Sequence, residues 1–201
     1  MLSAGAGNPT QNSVHVSCTL QLLQKEVYFM QEIPYQLLYR GRTIEDKTHK
    51  SEWILGNLHI QRTYIGLTKD IRTEYRIQPI DYTQAFAPYV KPETICAYCD
   101  MTDINDRPIC EHDIVKFFGF VGEVLYQHGC FGIAFRDTID WDYIAQQILH
   151  ITGCNNSLYA CQNDNFVSLW EIYWNFNESE NKLTTVQVIG NAIDHAKLLL
   201  K

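Results

Sequence analysis

The stretch Val90–Phe117, VKPETICAYCDMTDINDRPICEHDIVKF, decides how the rest of the chain is read. Its tail, Glu111-His112-Asp113-Ile114-Val115-Lys116, has the form of a strand opening a small barrel after an acidic turn. C-terminal to it, Ile114–Phe118 reads as one strand, and Gly122–Tyr126 with Cys130–Phe135 as a hairpin. The hairpin turns on Gln127-His128-Gly129, a three-residue loop with Gly where φ > 0 is wanted. In the returning strand Phe131, Ile133 and Phe135 alternate with small Cys130, Gly132 and Ala134, so one face packs bulk and the other admits a neighbouring ring or backbone.

Further along, Asp140 is placed to cap a helix over Trp141–Thr152, with Trp141, Ile144, Ala145, Ile148 and Ile151 on one side and Gly153 as its stop. Phe166–Phe176 reads as the strongest strand, because Phe166, Ser168, Trp170, Ile172, Trp174 and Phe176 recur at period two. A polar turn over Asn177–Lys182 leads to a strand over Leu183–Ile189, and Gly190-Asn191 precedes a short terminal helix. On the N-terminal side, Trp53–Ile60 alternates as a strand, and Arg62–Ile80 reads as extended segments around Thr68-Lys69-Asp70. Pro79, Pro88 and Pro92 punctuate the connection that follows, each lacking a backbone donor. Residues 1–12 are small and polar and are expected to be disordered; residues 16–30 show no decisive period and admit both a short helix over Leu20–Glu26 and a strand over Val27–Met30.

Composition agrees with a globular, strand-rich chain. Of 201 residues 46 % are hydrophobic and 19 % charged, and twelve Tyr, nine Phe and four Trp outweigh six Pro. The net charge of −7 falls wholly in residues 101–201, since the first hundred residues balance. An acidic second half repels phosphate backbones, so nucleic acid, if bound, belongs to Arg40, Arg42, Arg62, Arg72 and Arg76. No apolar run approaches the roughly 20 residues needed to span a bilayer, and no secretory signal opens the chain. Seven cysteines then read as free thiols of a reducing cytoplasm.

Three constellations are candidates for chemistry, and each has a plainer reading. Cys96, Cys99, Cys110 and His112 have zinc-ligand residue types, but residues three apart in an extended segment point to opposite faces, which favours buried thiols. Asp100, Asp103, Asp106, Glu111 and Asp113 suggest a divalent-metal or two-carboxylate site, against which stands a solvated turn rich in local hydrogen bonds. Trp170, Ile172, Trp174 and Phe176 resemble a base-stacking stripe, yet lack interleaved basic residues and include Glu171; a barrel core or a subunit interface suits them better. No catalytic, cofactor-binding or metal-binding residue is assigned.

Tyr39–Leu58, Val90–Phe117 and Val186–Leu199 together resemble the YopX family of phage and prophage proteins. The middle piece is the most specific, with Pro-Glu-Thr, a Tyr before a Thr/Asp-rich turn, and Glu-x-Asp-Ile-Val-Lys. The chain departs from the family at His112, where Gly is usual, and at Cys110, where an aromatic is usual. The resemblance starts near Met30, which leaves residues 1–29 as an extension outside the pattern or marks Met30 as the natural start. Together the residues and the resemblance imply a mainly β protein. It comprises an N-terminal β lobe over residues 30–88 and an SH3-like barrel over residues 89–201, with one inserted helix and a short C-terminal helix. The expected role is a non-enzymatic binding or assembly protein of the bacterial cytoplasm, homo-oligomeric and with room for an unidentified protein partner. A nucleic-acid-binding accessory factor using the N-terminal arginines, and a small metal-dependent enzyme at residues 100–113, are the alternatives.

Overall fold

The computed structural model describes residues 37–200 apart from residues 46, 48, 66–69, 81–86, 156–157 and 159–164. The expectations for residues 1–29, for Met30 and for the turn at Thr68-Lys69 lie outside the described residues.

Among the described residues ten strands form two antiparallel sheets. The first sheet runs β3-β2-β1-β4-β5, from β1 (Leu38–Arg42), β2 (Trp53–Ile65), β3 (Asp70–Pro79), β4 (Cys96–Thr102) and β5 (Pro108–Cys110). The second runs β10-β6-β7-β8-β9, from β6 (Asp113–Phe117), β7 (Phe120–Gln127), β8 (Cys130–Phe135), β9 (Phe166–Ser168) and β10 (Val186–Asn191). Strands β4 and β5 follow residue 89 in sequence, yet β4 pairs with β1 and β5 with β4, so sheet membership does not follow a division at 88/89.

The fold is mainly β as expected, but the sheets are open and do not close into a barrel. The reason lies after β9. The run expected as one long strand over Phe166–Phe176 extends for three residues only, and at Leu169 it becomes helix α2 (Leu169–Asn175). Leu169, Ile172 and Phe176 recur at helical spacing and bury themselves in the core, which turns Trp170 and Trp174 outward. The chain thus leaves β9 as a helix packed on β8 and β9, and the described residues hold a second inserted helix where one was expected.

Helix α1 (Trp141–Thr152) forms where its end signals place it. Asp140 Oδ1 accepts from Tyr143 N at 2.9 Å, and Gly153 stops it at φ 71°, donating to Leu149 O at 2.9 Å. Its Ile144 and Ile148 are buried, whereas Ile151 is exposed. The β7–β8 hairpin is tighter than expected: Gln127 pairs with Cys130, leaving His128 and Gly129 as a two-residue loop at φ 53° and 83°. At Gly132 the small face of β8 meets the ring of Phe166, where any Cβ would collide with that ring and with the Val167 carbonyl. Strand β10 starts at Val186, later than Leu183, and is bulged between Val188 and Gly190. The terminal segment is α3 (Ala192–His195) followed by a 3-10 turn over Ala196–Leu200.

The main core lies on the second sheet. Val115, Phe117, Val124, Ile133 and Val167 pack there against Ile144, Ile148, Leu169 and Ile172 of the two helices. Each such fully buried side chain contributes roughly 1.5–3 kcal/mol relative to exposure. Cys99, Met101 and Ile109 carry the first sheet into the same core. Among the described residues no helix is long and apolar enough to cross a membrane.

Candidate functional site

The two sheets are joined where β5 hands over to β6, at Cys110-Glu111-His112-Asp113. His112 takes φ 65°, the left-handed conformation for which Gly is the usual residue. Its N–H donates to Val124 O at 2.7 Å, its carbonyl accepts from Ala192 N at 2.8 Å, and Glu111 N donates to Ala97 O at 2.8 Å. These bonds tie β4, β7 and the start of α3 to one turn. The geometry expected of a glycine is therefore present with a histidine in it, whose Nδ1 lies 2.9 Å from Glu123 Oε1.

Asp113, the residue after this turn, is fully buried. Its carboxylate accepts from Arg40 Nη1 at 3.0 Å and Nη2 at 2.6 Å, and from Cys110 N at 2.8 Å. Arg40 projects from the middle of β1, and its guanidinium lies 5.0 Å over the Trp53 ring. Burial pushes the Asp113 carboxyl up from the usual carboxylate range, against the pull of Arg40 and the Cys110 N–H. Burial alone lowers Arg40, but its hydrogen bond to Asp113 and the surrounding groups outweigh this and raise it, so it stays charged. Paired bidentate guanidinium and carboxylate of this kind hold orientation tightly.

A second tie lies beside the first. Asp194 accepts from Arg42 Nη1 at 2.6 Å and from Trp53 Nε1 at 2.9 Å, while its backbone N–H donates to the capping Asn191 Oδ1 at 2.8 Å. The Trp53 hydrogen bond, with help from Arg42, Asn191 and His195, holds the Asp194 carboxyl below its usual range against a smaller opposing effect of burial. Sequence reasoning assigned no site role to Trp53, Asn191 or Asp194; the Asn191-Ala192-Ile193-Asp194 spacing is a capping pattern and is the signal that was present.

These contacts bring together the three sequence pieces that carry the family resemblance: Arg40, Arg42 and Trp53 from the first, Asp113 from the second, Asn191 and Asp194 from the third. Around them opens a cleft of about 380 Å³, lined among others by Arg40, Trp53, Arg107, Asp113, Asn191 and His195.

The acidic cluster does not assemble into one site. Asp103 is fully buried, and its carboxylate is filled by the N–H groups of Asn105, Arg107 and Val188 at 2.8–2.9 Å. Asp106 pairs with Lys182 at 2.7 Å, and Asp100 is exposed. Two of the five acids expected in a solvated turn are thus buried and act as structural acceptors. Cys99 faces the main core, whereas the Cys96 thiol lies 3.6 Å from the Arg40 carbonyl. Burial pushes all three thiols of Cys96, Cys99 and Cys110 up, which keeps them protonated. Among the described residues no group of three His, Cys, Asp or Glu side chains is arranged to hold a metal ion.

Of the five N-terminal arginines, Arg40, Arg42, Arg72 and Arg76 are each paired with a carboxylate; Arg62 is exposed. The aromatic stripe is split. Phe176 and Ile172 are core, whereas Trp170 and Trp174 are 44 % and 70 % exposed, with the Tyr173 ring between them at centroid distances of 5.5 and 5.3 Å.

No protein-family model matches this chain, and no curated protein matches it.

Proposed function

We propose that this chain is a non-enzymatic binding or assembly protein of the YopX type, encoded by a phage or prophage, and that it self-associates through the outer face of α2. The observation that carries this reading is the Trp170–Tyr173–Trp174 cluster, in which two indoles one helical turn apart stand exposed on a helix whose other face is locked into the core. Large aromatics are the side chains most enriched in the energetic centres of protein interfaces. The state of the carboxylates in the turn at residues 100–113 supports it too, because Asp103 and Asp113 already hold three donors each. In this reading the β6-β7-β8 meander is the counterpart of an SH3-like element left open, and the meeting of the three resembled pieces at Arg40 and Asp113 favours a YopX-type arrangement.

The test is light scattering on the wild type and on Trp170→Ser/Trp174→Ser, with circular dichroism alongside. The wild type is expected as an oligomer and the double variant as a folded monomer. A wild type that stays monomeric across the accessible concentration range would contradict the reading.

A further inference from the structure

The cleft between β1–β2 and β10 has a one-sided chemistry. Among the charged side chains lining it, Asp113 is consumed by Arg40 and by the Cys110 N–H. Asp194, next to it, is consumed by Arg42 and Trp53. What remains unsatisfied among the described residues is a set of donors. Arg107 is exposed, and its guanidinium has one partner, the Val188 carbonyl at 3.5 Å. Arg40 Nε is buried with no partner. Asn191 is already engaged, since it caps α3 through Oδ1 and its side chain also supports the Asp194 carboxylate. His195 accepts the Asn191 N–H on Nδ1 at 3.4 Å, so the neutral ring carries its own proton on Nε2.

Arg107 and His195 therefore offer their free donors to one cleft, in a chain whose net charge is −7. Arg40 and Arg107 against Asp113 leave the lining one positive charge in excess. The rest of the wall is apolar, from Leu55, Val188 and Ile189. At about 380 Å³ the space lies at the small end of the range of ligand pockets, roughly 300–1,000 Å³. Convergent donors with one uncompensated guanidinium suit a planar or tetrahedral oxyanion, and the apolar wall suits a short organic tail.

We propose that this cleft binds a small organic oxyanion, a phosphate or carboxylate on a compact apolar group, through Arg107 and His195. Arg40 and Trp53 form its floor and are held in place by Asp113 and Asp194.

Phenyl phosphate, inorganic phosphate and benzoate are the probes, titrated at constant ionic strength while the indole N–H of Trp53 and the backbone amides of residues 189–195 are followed by NMR. Saturable shifts confined to the cleft are expected, with phenyl phosphate or benzoate binding more tightly than inorganic phosphate. Arg107→Gln is expected to weaken binding about tenfold, the effect of losing one charge-assisted contact, while leaving the other amide positions unchanged. His195→Gln serves as a second variant with a smaller loss. Non-saturating shifts, or equal saturation in Arg107→Gln, would overturn the site. Tighter binding of inorganic phosphate than of phenyl phosphate would overturn the role of the apolar wall. Tighter binding of a short single-stranded oligonucleotide than of any probe would overturn the assignment to a small molecule.

Discussion

Arg40 in β1 and Asp113 in β6, 73 residues apart, meet through guanidinium–carboxylate hydrogen bonds of 2.6 and 3.0 Å and so pin one sheet to the other. The pair is nearly dry, with side chains 16 % and 1 % exposed, so each charge depends on the other for its solvation. Removing one partner of such a pair leaves an uncompensated buried charge, whereas removing both charges costs less. Arg40→Met is therefore expected to destabilise by about 3–5 kcal/mol in urea unfolding. Arg40→Met/Asp113→Asn is expected to lose less than Arg40→Met alone, because the asparagine amide is neutral and its oxygen still accepts from Cys110 N. A double variant as unstable as the sum of the singles would show that the pair does not act as a unit.

The exposure of Trp170 and Trp174 reverses what the period-two pattern implies for stability. As core strand residues, either truncation to Ala would cost roughly 3–5 kcal/mol. Exposed on α2 of the single subunit, each is expected to cost under about 1 kcal/mol of subunit stability, measured at a concentration where the wild type is dissociated. Phe166→Ala, at a residue 2 % exposed, is the internal reference and is expected to cost about 3–5 kcal/mol. Thermal unfolding of the three variants separates the two readings.

That reversal shows where sequence reasoning runs out. Phe166–Phe176 satisfies period two through its aromatics, and also a helical period through Leu169, Ile172 and Phe176. Only the core already built by Phe117 and Ile133 selects between them, and aromatic β-propensity points the wrong way. Helix α1 was legible because its signals are local: Asp140 caps it and Gly153 ends it. The Arg40–Asp113 pin was not, since nothing within either strand reports a partner 73 residues distant. The turn at His112 lies between these cases. The departure from Gly was visible in the sequence, but its backbone bonds to Val124 and Ala192, which fix the conformation, come from the tertiary fold.

At φ 65°, His112 occupies a conformation that costs an L-residue roughly 1–2 kcal/mol. His112→Gly removes that cost but gives up the half-exposed contact with Glu123, worth at most about 1 kcal/mol. The variant is expected to be more stable by about 0.5–1 kcal/mol, and His112→Val to be less stable than wild type. Equal midpoints for all three proteins in denaturant would mean that the turn carries no strain.

The Asp194 latch has a pH signature. Its folded carboxyl is held below the ordinary carboxylate range by Trp53 and Arg42, so the folded state binds the proton less readily than the unfolded chain. The stabilisation is present above the ordinary carboxylate range and is lost as pH falls through the lowered folded value. Hydrogen exchange of the terminal segment is expected to accelerate in that acid window, and Asp194→Asn to remove the pH dependence. Acid insensitivity of that segment in the wild type would exclude the latch.

The most direct measurement is the native mass of the purified protein with whatever it carries. A binding and assembly protein that uses the α2 face is expected to fly as a homo-oligomer, reduced to monomer by Trp170→Ser/Trp174→Ser and unchanged in mass by a strong chelator. A monomer that retains stoichiometric zinc or manganese, and unfolds when the metal is stripped, would contradict it.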